Sequence, residues 1–212
     1  MVIDSPPAQS SPGVVTGADG RVRCAWAGGS DPEYLRYHDE EWGTPLHGDR
    51  PLFEKLSLEG FQSGLSWITI LRRRPGFRAA FHGFDLAAVA AMTSDDVERL
   101  MLDTGIIRNR AKILATIANA ALALDLVRER PGALDDLLWS FAPTGRPARP
   151  ASYTQAPAVT EESTAMSTAL RALGFRFVGP TTLYALMQSA GMVDDHAAGC
   201  WKPPPWELAA TG

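Results

Sequence analysis

Thr104-Gly105-Ile106-Ile107-Arg108-Asn109-Arg110 separates two helical runs, and its reading sets the architecture. Upstream, Thr93-Ser94-Asp95-Asp96 is a helix start: hydroxyls to cap orphan N–H groups and carboxylates to complement the positive end of the helix. That helix runs to about Asp103. Downstream, a long helix runs from about Asn109 to Arg128 and is broken by Pro131-Gly132. A glycine-containing apolar turn between two such helices makes a tight hairpin. Outward from it nearly every segment reads as helix. Ser30-Asp31-Pro32-Glu33 forms a capping box with Pro in the first turn, opening a helix to about Glu41. Asp49-Arg50-Pro51 starts another, and Ser66 to about Arg73 a further short one, ended by Pro75-Gly76. Asp85, Leu134, Thr160 and Gly179-Pro180 open the rest. Phe175-Arg176-Phe177-Val178 is the best strand candidate, too short to carry a sheet. The expected fold is all-α, a bundle of roughly ten helices.

The chain has 212 residues, 45% hydrophobic and 21% charged, as a globular protein requires. Met1–Gly20 is rich in Ser, Pro and Gly and reads as a disordered tail, without the apolar core of a signal peptide. Residues 21–201 read as one compact unit whose helical halves no linker separates, and 202–212 as a C-terminal tail. No apolar run reaches the roughly 20 residues of a membrane helix, so a cytoplasmic protein is expected; it is also expected to be a monomer. The net charge of −4 argues against a globally basic nucleic-acid binder but leaves room for a local patch. Basic residues cluster at Arg72, Arg73, Arg74 and Arg78, and again around the hairpin at Arg108, Arg110 and Lys112. A solvated helix face accounts for either cluster alone.

Three constellations carry chemistry. The chain's two cysteines, Cys24 and Cys200, admit three readings: a disulfide, disfavoured in a reducing compartment, two inert thiols, or metal ligands. His196 and Cys200 are four apart, and Cys24 and His38 bracket the first capped helix. The four together would suit a tetrahedral Zn²⁺ with no open position, hence structural. The hairpin turn presents N–H groups at a helix N-terminus, where Gly105, Arg108, Arg110 and Lys112 could hold a DNA phosphate, although an ordinary helical hairpin looks the same. Finally, Leu58-Glu59-Gly60-Phe61-Gln62-Ser63-Gly64-Leu65-Ser66-Trp67 puts a carboxylate and two glycines into an apolar helical run, with Trp67 about two turns on from Glu59. Trp26, Trp42, Tyr34 and Tyr37 lie in the same half of the chain. Such aromatics usually make core, but with one carboxylate they also make a receptor for a flat cation.

These motifs together resemble the DNA-3-methyladenine glycosylase I family of the helix–hairpin–helix superfamily. The resemblance rests on Cys24-Ala25-Trp26, Tyr37-His38-Asp39-Glu40-Glu41-Trp42-Gly43, Leu58-Glu59-Gly60, Gly64-Leu65-Ser66-Trp67, Gly105-Ile106-Ile107-Arg108, Gly174 to Thr182, and Asp195-His196 with Cys200, spanning about Arg23 to Trp201. It implies structural zinc on Cys24, His38, His196 and Cys200. It implies a base pocket of Glu59, Tyr37 and Trp67, with Trp26, Tyr34 and Trp42 nearby, the cationic base lying between Trp67 and Tyr37. Leu65 would fill the gap left by an extruded base. The substrate would be double-stranded alkylated DNA, and the reaction hydrolysis of the N-glycosidic bond of 3-methyladenine. Ala185 stands where some relatives carry a small hydroxyl. Asp195 would cap the His196 turn or orient that ligand. The competing class is a non-catalytic, zinc-stabilised DNA-binding module.

Overall fold

The computed structural model describes residues 13–28 and 31–208. Ten α-helices dominate these residues: α1 Pro32–Glu40, α2 Asp49–Gln62, α3 Trp67–Ala80, α4 Leu86–Ala90, α5 Ser94–Leu102, α6 Arg110–Glu129, α7 Ala133–Trp139, α8 Glu161–Ala172, α9 Pro180–Ser189 and α10 Pro205–Leu208. Among the described residues no helix is long and apolar enough to cross a membrane.

The centre is α2. Every residue from Leu52 to Phe61 is buried, and the helix is packed by α3, α6, α7 and α9. The main core groups Phe53, Phe61, Phe77, Phe81 and Phe84 with the apolar faces of α5 to α9. A smaller core joins Cys24, Tyr37, Trp42, Leu71, Ala197 and Cys200, tying both ends of the chain together. Helices α5 and α6 flank the turn at Gly105, and both are capped by local side chains. Thr93 and Asp96 make a capping box at α5, and the Asn109 side chain accepts from Lys112 N–H at α6.

Several expectations need correction. Val14–Thr16 (β1) pairs antiparallel with Val22–Cys24 (β2), so order begins before Gly20; residues 1–12 lie outside the described set. Phe175–Val178 is not a strand: Phe177 has φ 57°, and both backbone groups of Arg176 are held by the Asn119 amide, each at 2.9 Å. The cap of α1 is Asp31, whose carboxylate accepts from Glu33 and Tyr34 N–H groups; Ser30 lies outside the described residues. Helix α3 continues through Pro75 to Ala80. Pro75-Gly76 marks a contact instead of an end, since a Cβ on Gly76 would lie 2.4 Å from the Gly105 carbonyl oxygen of the hairpin. Arg74 and Arg78 of the first arginine cluster bind Glu54 at 2.7 and 2.9 Å. The C-terminal segment is anchored too: Lys202 donates to the carbonyls of His38 and Trp42 at 3.0 and 2.7 Å.

Helices α2 and α7 exchange caps. Asp49 accepts from the N–H groups of Gly132, Leu134 and Asp135 at 2.8, 3.0 and 3.1 Å, and the Asp135 carboxylate accepts from Gly48 N–H at 2.6 Å. Asp49→Ala is expected to lower unfolding free energy by about 1–2 kcal/mol, the usual range for a lost N-cap, read from the midpoint of urea denaturation; an unshifted midpoint would discount the exchange.

Candidate active site

Helix α2 brings Glu59 and Gln62 to a cavity of about 280 Å³. Tyr34 and Tyr37 enter from α1, Trp42 from the turn after it, and Trp26 from a short 3-10 turn, Ala25–Ala27. Trp67 opens α3, and α9 contributes Ala185, Gln188 and Ser189. All six expected pocket residues therefore line one cavity. A second hollow of about 420 Å³ shares Glu59, Gln62, Tyr153, Ala185 and Gln188 with it and extends to Gly64 and Leu65. Leu65 is 41% exposed.

The geometry differs from the expected one in two respects. Helix α2 ends at Gln62, and Gly64 turns the chain at φ +85°. Trp67 thus reaches Glu59 through a turn and a new helix, not along one helical face, and Gly60 and Gly64 share no face. A Cβ on Gly60 would meet Phe177 at an ordinary 3.6 Å. In addition, the Tyr37 and Trp67 ring centroids are 5.4 Å apart and tilted by 42°. A flat base needs about 7 Å between two stacking partners, twice the usual carbon contact. The two rings are one wall, not the two sides of a slot. Trp26 packs edge-on against Tyr34 and Trp42, at 5.6 and 5.1 Å, and makes the neighbouring wall.

Sequence reasoning missed four residues. Ser189 donates to Glu59 Oε1 at 3.0 Å; it stands one turn after Ala185 and so returns a hydroxyl to this side of α9. Gln188 and Tyr153 line the cavity, Tyr153 from the long loop that carries no periodic signal. Lys55, one turn before Glu59, was readable only as a charge in a buried run. Glu59 is 4% exposed. Burial raises its carboxyl to about 7, against the opposing pull of Lys55 and Ser189. Burial also brings the Lys55 ammonium down to about 8.

The hairpin residues separate. Gly105 N–H donates to Asp103. Arg108 is exposed, with no partner among the described residues. Arg110 is exposed and bidentate to Glu98 at 2.6 and 2.7 Å. Lys112 corrects its expectation: it is 8% exposed and donates to the carbonyls of Phe61 and Ser63 at 2.9 and 2.7 Å. Its charge caps the C-terminal end of α2, where carbonyls lack helical partners, and does not face a phosphate.

Cys24, His38 and Cys200 converge in the small core, their donor atoms within 4.8 Å of one another, a set that could hold a metal ion. The Cys24 thiol and His38 lower the Cys200 thiol, whereas the bond with Cys200 raises Cys24, as expected for two sulfurs competing for one proton. His196 stands beside this triad, its ring 5.4 Å from that of His38. Its Nε2 is buried and has no partner among the described residues, an unsatisfied donor or acceptor that a metal bond would satisfy. Each imidazole is oriented by a carboxylate that an arginine grips. Asp39 meets His38 Nδ1 at 2.8 Å and Arg23 at 2.7 Å; Asp194 meets His196 Nδ1 at 2.7 Å and Arg149 at 2.7 Å. The orienting residue is Asp194 and not Asp195, which instead accepts from Tyr184 and Gln188, both at 2.7 Å.

Comparison with known proteins finds relatives along most of the chain. A family model described as methyladenine glycosylase matches residues 26–203. DNA-3-methyladenine glycosylase 1 of Escherichia coli (strain K12) is 46% identical over 180 residues, covering 84% of this chain and 95% of its own. DNA-3-methyladenine glycosylase of Haemophilus influenzae is 44% identical over 183 residues, covering 84% and 96%. A crystal structure of 3-methyladenine DNA glycosylase I superimposes with a TM-score of 0.81 at 46% identity, over 86% of this chain and all of that one. The Staphylococcus aureus enzyme, solved to explain 3-methyladenine recognition, gives 0.79 at 35% identity, over 85% and 96%. With likeness along nearly the whole described chain, and a buried carboxylate set among aromatic rings at its centre, the protein belongs to the methyladenine glycosylase family.

Proposed function

We propose that this member of the DNA-3-methyladenine glycosylases excises 3-methyladenine from alkylated double-stranded DNA by hydrolysing its N-glycosidic bond and leaves an abasic site, acting as a cytoplasmic monomer. The observation that carries the reading is the cavity in which Glu59, out of water, meets the continuous wall of Tyr37 and Trp67. An adenine alkylated at N3 is cationic and leaves the sugar readily, so recognition matters more than general-acid help. Extruding the base costs a few kcal/mol. The Tyr37–Trp67 wall offers π faces to the cation, and Trp26, Tyr34 and Trp42 make the adjoining wall. Glu59 accepts a hydrogen bond from the exocyclic amino group and supplies the complementary charge. Neutral adenine gains less from both, so charge as well as shape discriminates. Leu65, exposed at the end of the connected hollow, fills the gap in the stack. Arg108 sits on phosphate, with Gly105 in the turn before it and Arg110 beside it.

The four donors Cys24, His38, His196 and Cys200 would hold a structural Zn²⁺, and four protein ligands leave no position for catalysis. What this chain supplies there is orientation: Asp39 and Asp194 fix the ring nitrogens that face the site.

Glu59→Gln is expected to slow single-turnover release of 3-methyladenine from methylated duplex by about ten- to a hundredfold, the worth of one charge-assisted hydrogen bond, with circular dichroism unchanged. The wild-type rate should fall on the acid side with a midpoint near 7, where the carboxyl protonates; an equal rate and the same acid limb in the variant would remove Glu59 from the pocket chemistry. Metal analysis should find about one zinc per chain, and a folded, metal-free preparation from cells would overturn the clasp. Arg108→Ala should reduce the salt dependence of DNA binding by about one phosphate contact, while Lys112→Met should leave that slope unchanged and lower stability; the reverse pattern would exchange their roles.

A further inference from the structure

The chain contains three lysines, Lys55, Lys112 and Lys202, and all are buried, at 5%, 8% and 3% exposure. Lys112 and Lys202 each satisfy their ammonium on two backbone carbonyls. Lys55 does not. Its one hydrogen bond goes to the Tyr37 hydroxyl at 3.4 Å, and among the described residues it makes no ion pair within 4 Å. Its Nζ lies 4.9 Å from the Tyr37 ring centroid and 5.5 Å from that of Trp67. Lys55 is absent from the cavity lining, so the ammonium stands behind the wall whose front faces the cavity.

A buried ammonium without a partner normally gives up its proton, so what faces Lys55 decides its state. From α2 itself come Glu54 and Glu59, from α1 Tyr37, from the end of α1 Glu41, and from α3 Arg74. Glu54 and Glu41 are both bonded to Arg74. That leaves Glu59, whose carboxylate, among the described residues, accepts only from the neutral Ser189 hydroxyl of α9. Tyr37 and Tyr153, the other titratable groups that face Glu59, are phenols held neutral by burial.

We propose that Lys55 is a positioning residue of the base pocket: its buried ammonium, packed behind Tyr37 and Trp67 one helical turn before Glu59, holds Glu59 in the carboxylate form that accepts the base and fixes the Tyr37 hydroxyl. The proposal rests on the reading of Glu59 given above. Burial pushes the two groups toward neutrality from opposite sides, and their mutual attraction resists both shifts. Removing the lysine charge leaves only the Ser189 hydroxyl to favour ionisation, so the Glu59 proton is lost at a higher pH.

The test follows the Glu59 carboxyl by ¹³C NMR, assigned through its absence in Glu59→Gln, in wild type, Lys55→Met and Lys55→Arg. Lys55→Met should raise the Glu59 midpoint by about one to two pH units, the scale of a unit charge at helical i,i+4 distance in a protein interior. Lys55→Arg, which keeps the charge, should stay near wild type. A Lys55→Met midpoint that coincides with wild type, in protein with an unchanged near-ultraviolet spectrum, overturns the proposal. Should Lys55→Met lose that spectrum, Lys55→Gln makes the same comparison. Excision profiles of the same proteins separate the two readings: a carboxyl midpoint that moves without the acid limb of excision refutes Glu59 as the base acceptor and leaves the role of Lys55 intact.

Discussion

Holding a carboxylate out of water is the constraint around which this structure is arranged. An ionised group in a protein interior loses several kcal/mol of hydration unless partners replace it. Glu59 sits in the helix that is buried over Leu52–Phe61, where a fold selected for stability alone would place an apolar residue. The replacement is partial: one hydroxyl from Ser189 and the field of Lys55. Partial replacement suits a site that must still gain from a cationic ligand, because a fully satisfied carboxylate would have nothing left to offer.

The second dependence is on the chain ends. Trp26 and Trp42 belong to segments with little secondary structure of their own, yet they form a wall of the cavity. They are held by the small core, in which Cys24, His38 and Cys200 meet. Around that core, cations sit on backbone carbonyls. Lys202 bonds the carbonyls of His38 and Trp42, and Arg149 those of Cys200 and Lys202, at 3.1 and 2.7 Å. Gly43, at φ +71°, allows the His196 ring to come so close that a Cβ would lie 2.5 Å from it. The C-terminal segment is therefore part of the pocket's foundation, although none of its described residues from Trp201 to Leu208 lines the cavity.

Much of this was legible in the sequence for a physical reason. Helix starts are local: a hydroxyl or carboxylate at the first position and Pro or Gly at the ends act within a few residues, and α5, α6, α8 and α9 begin where those signals stand. The pocket aromatics were legible as types, since a fold seldom gathers so many beside one carboxylate. What the sequence hid depends on distant partners. Pro75-Gly76 looks like a stop until the hairpin carbonyl of Gly105 is seen packed on Gly76. Lys112 looks like one more basic residue near a phosphate site until its ammonium is found on α2. Asp194 and Asp195 are neighbours of equal chemistry, and only the packing of Arg149 and Tyr184 tells which one serves the histidine.

Lys112 also shows how the proposed tasks of gripping DNA and receiving a base are joined. It lies in the first turn of α6, directly after the hairpin, and holds the carbonyls of Phe61 and Ser63. Between those carbonyls and Trp67 runs the turn that carries Leu65, and two residues before Phe61 stands Glu59. A hairpin seated on phosphate thus fixes, through one buried cation, both the turn that would enter the stack and the helix that presents the carboxylate. The coupling requires no hinge: α2 is buried along its length, packed interiors resist continuous deformation, and a displacement of the hairpin would have to carry α2 with it. The lysine ammonium is a compact point charge that the two carbonyls at this buried helix end can share, in a chain whose three lysines are all buried.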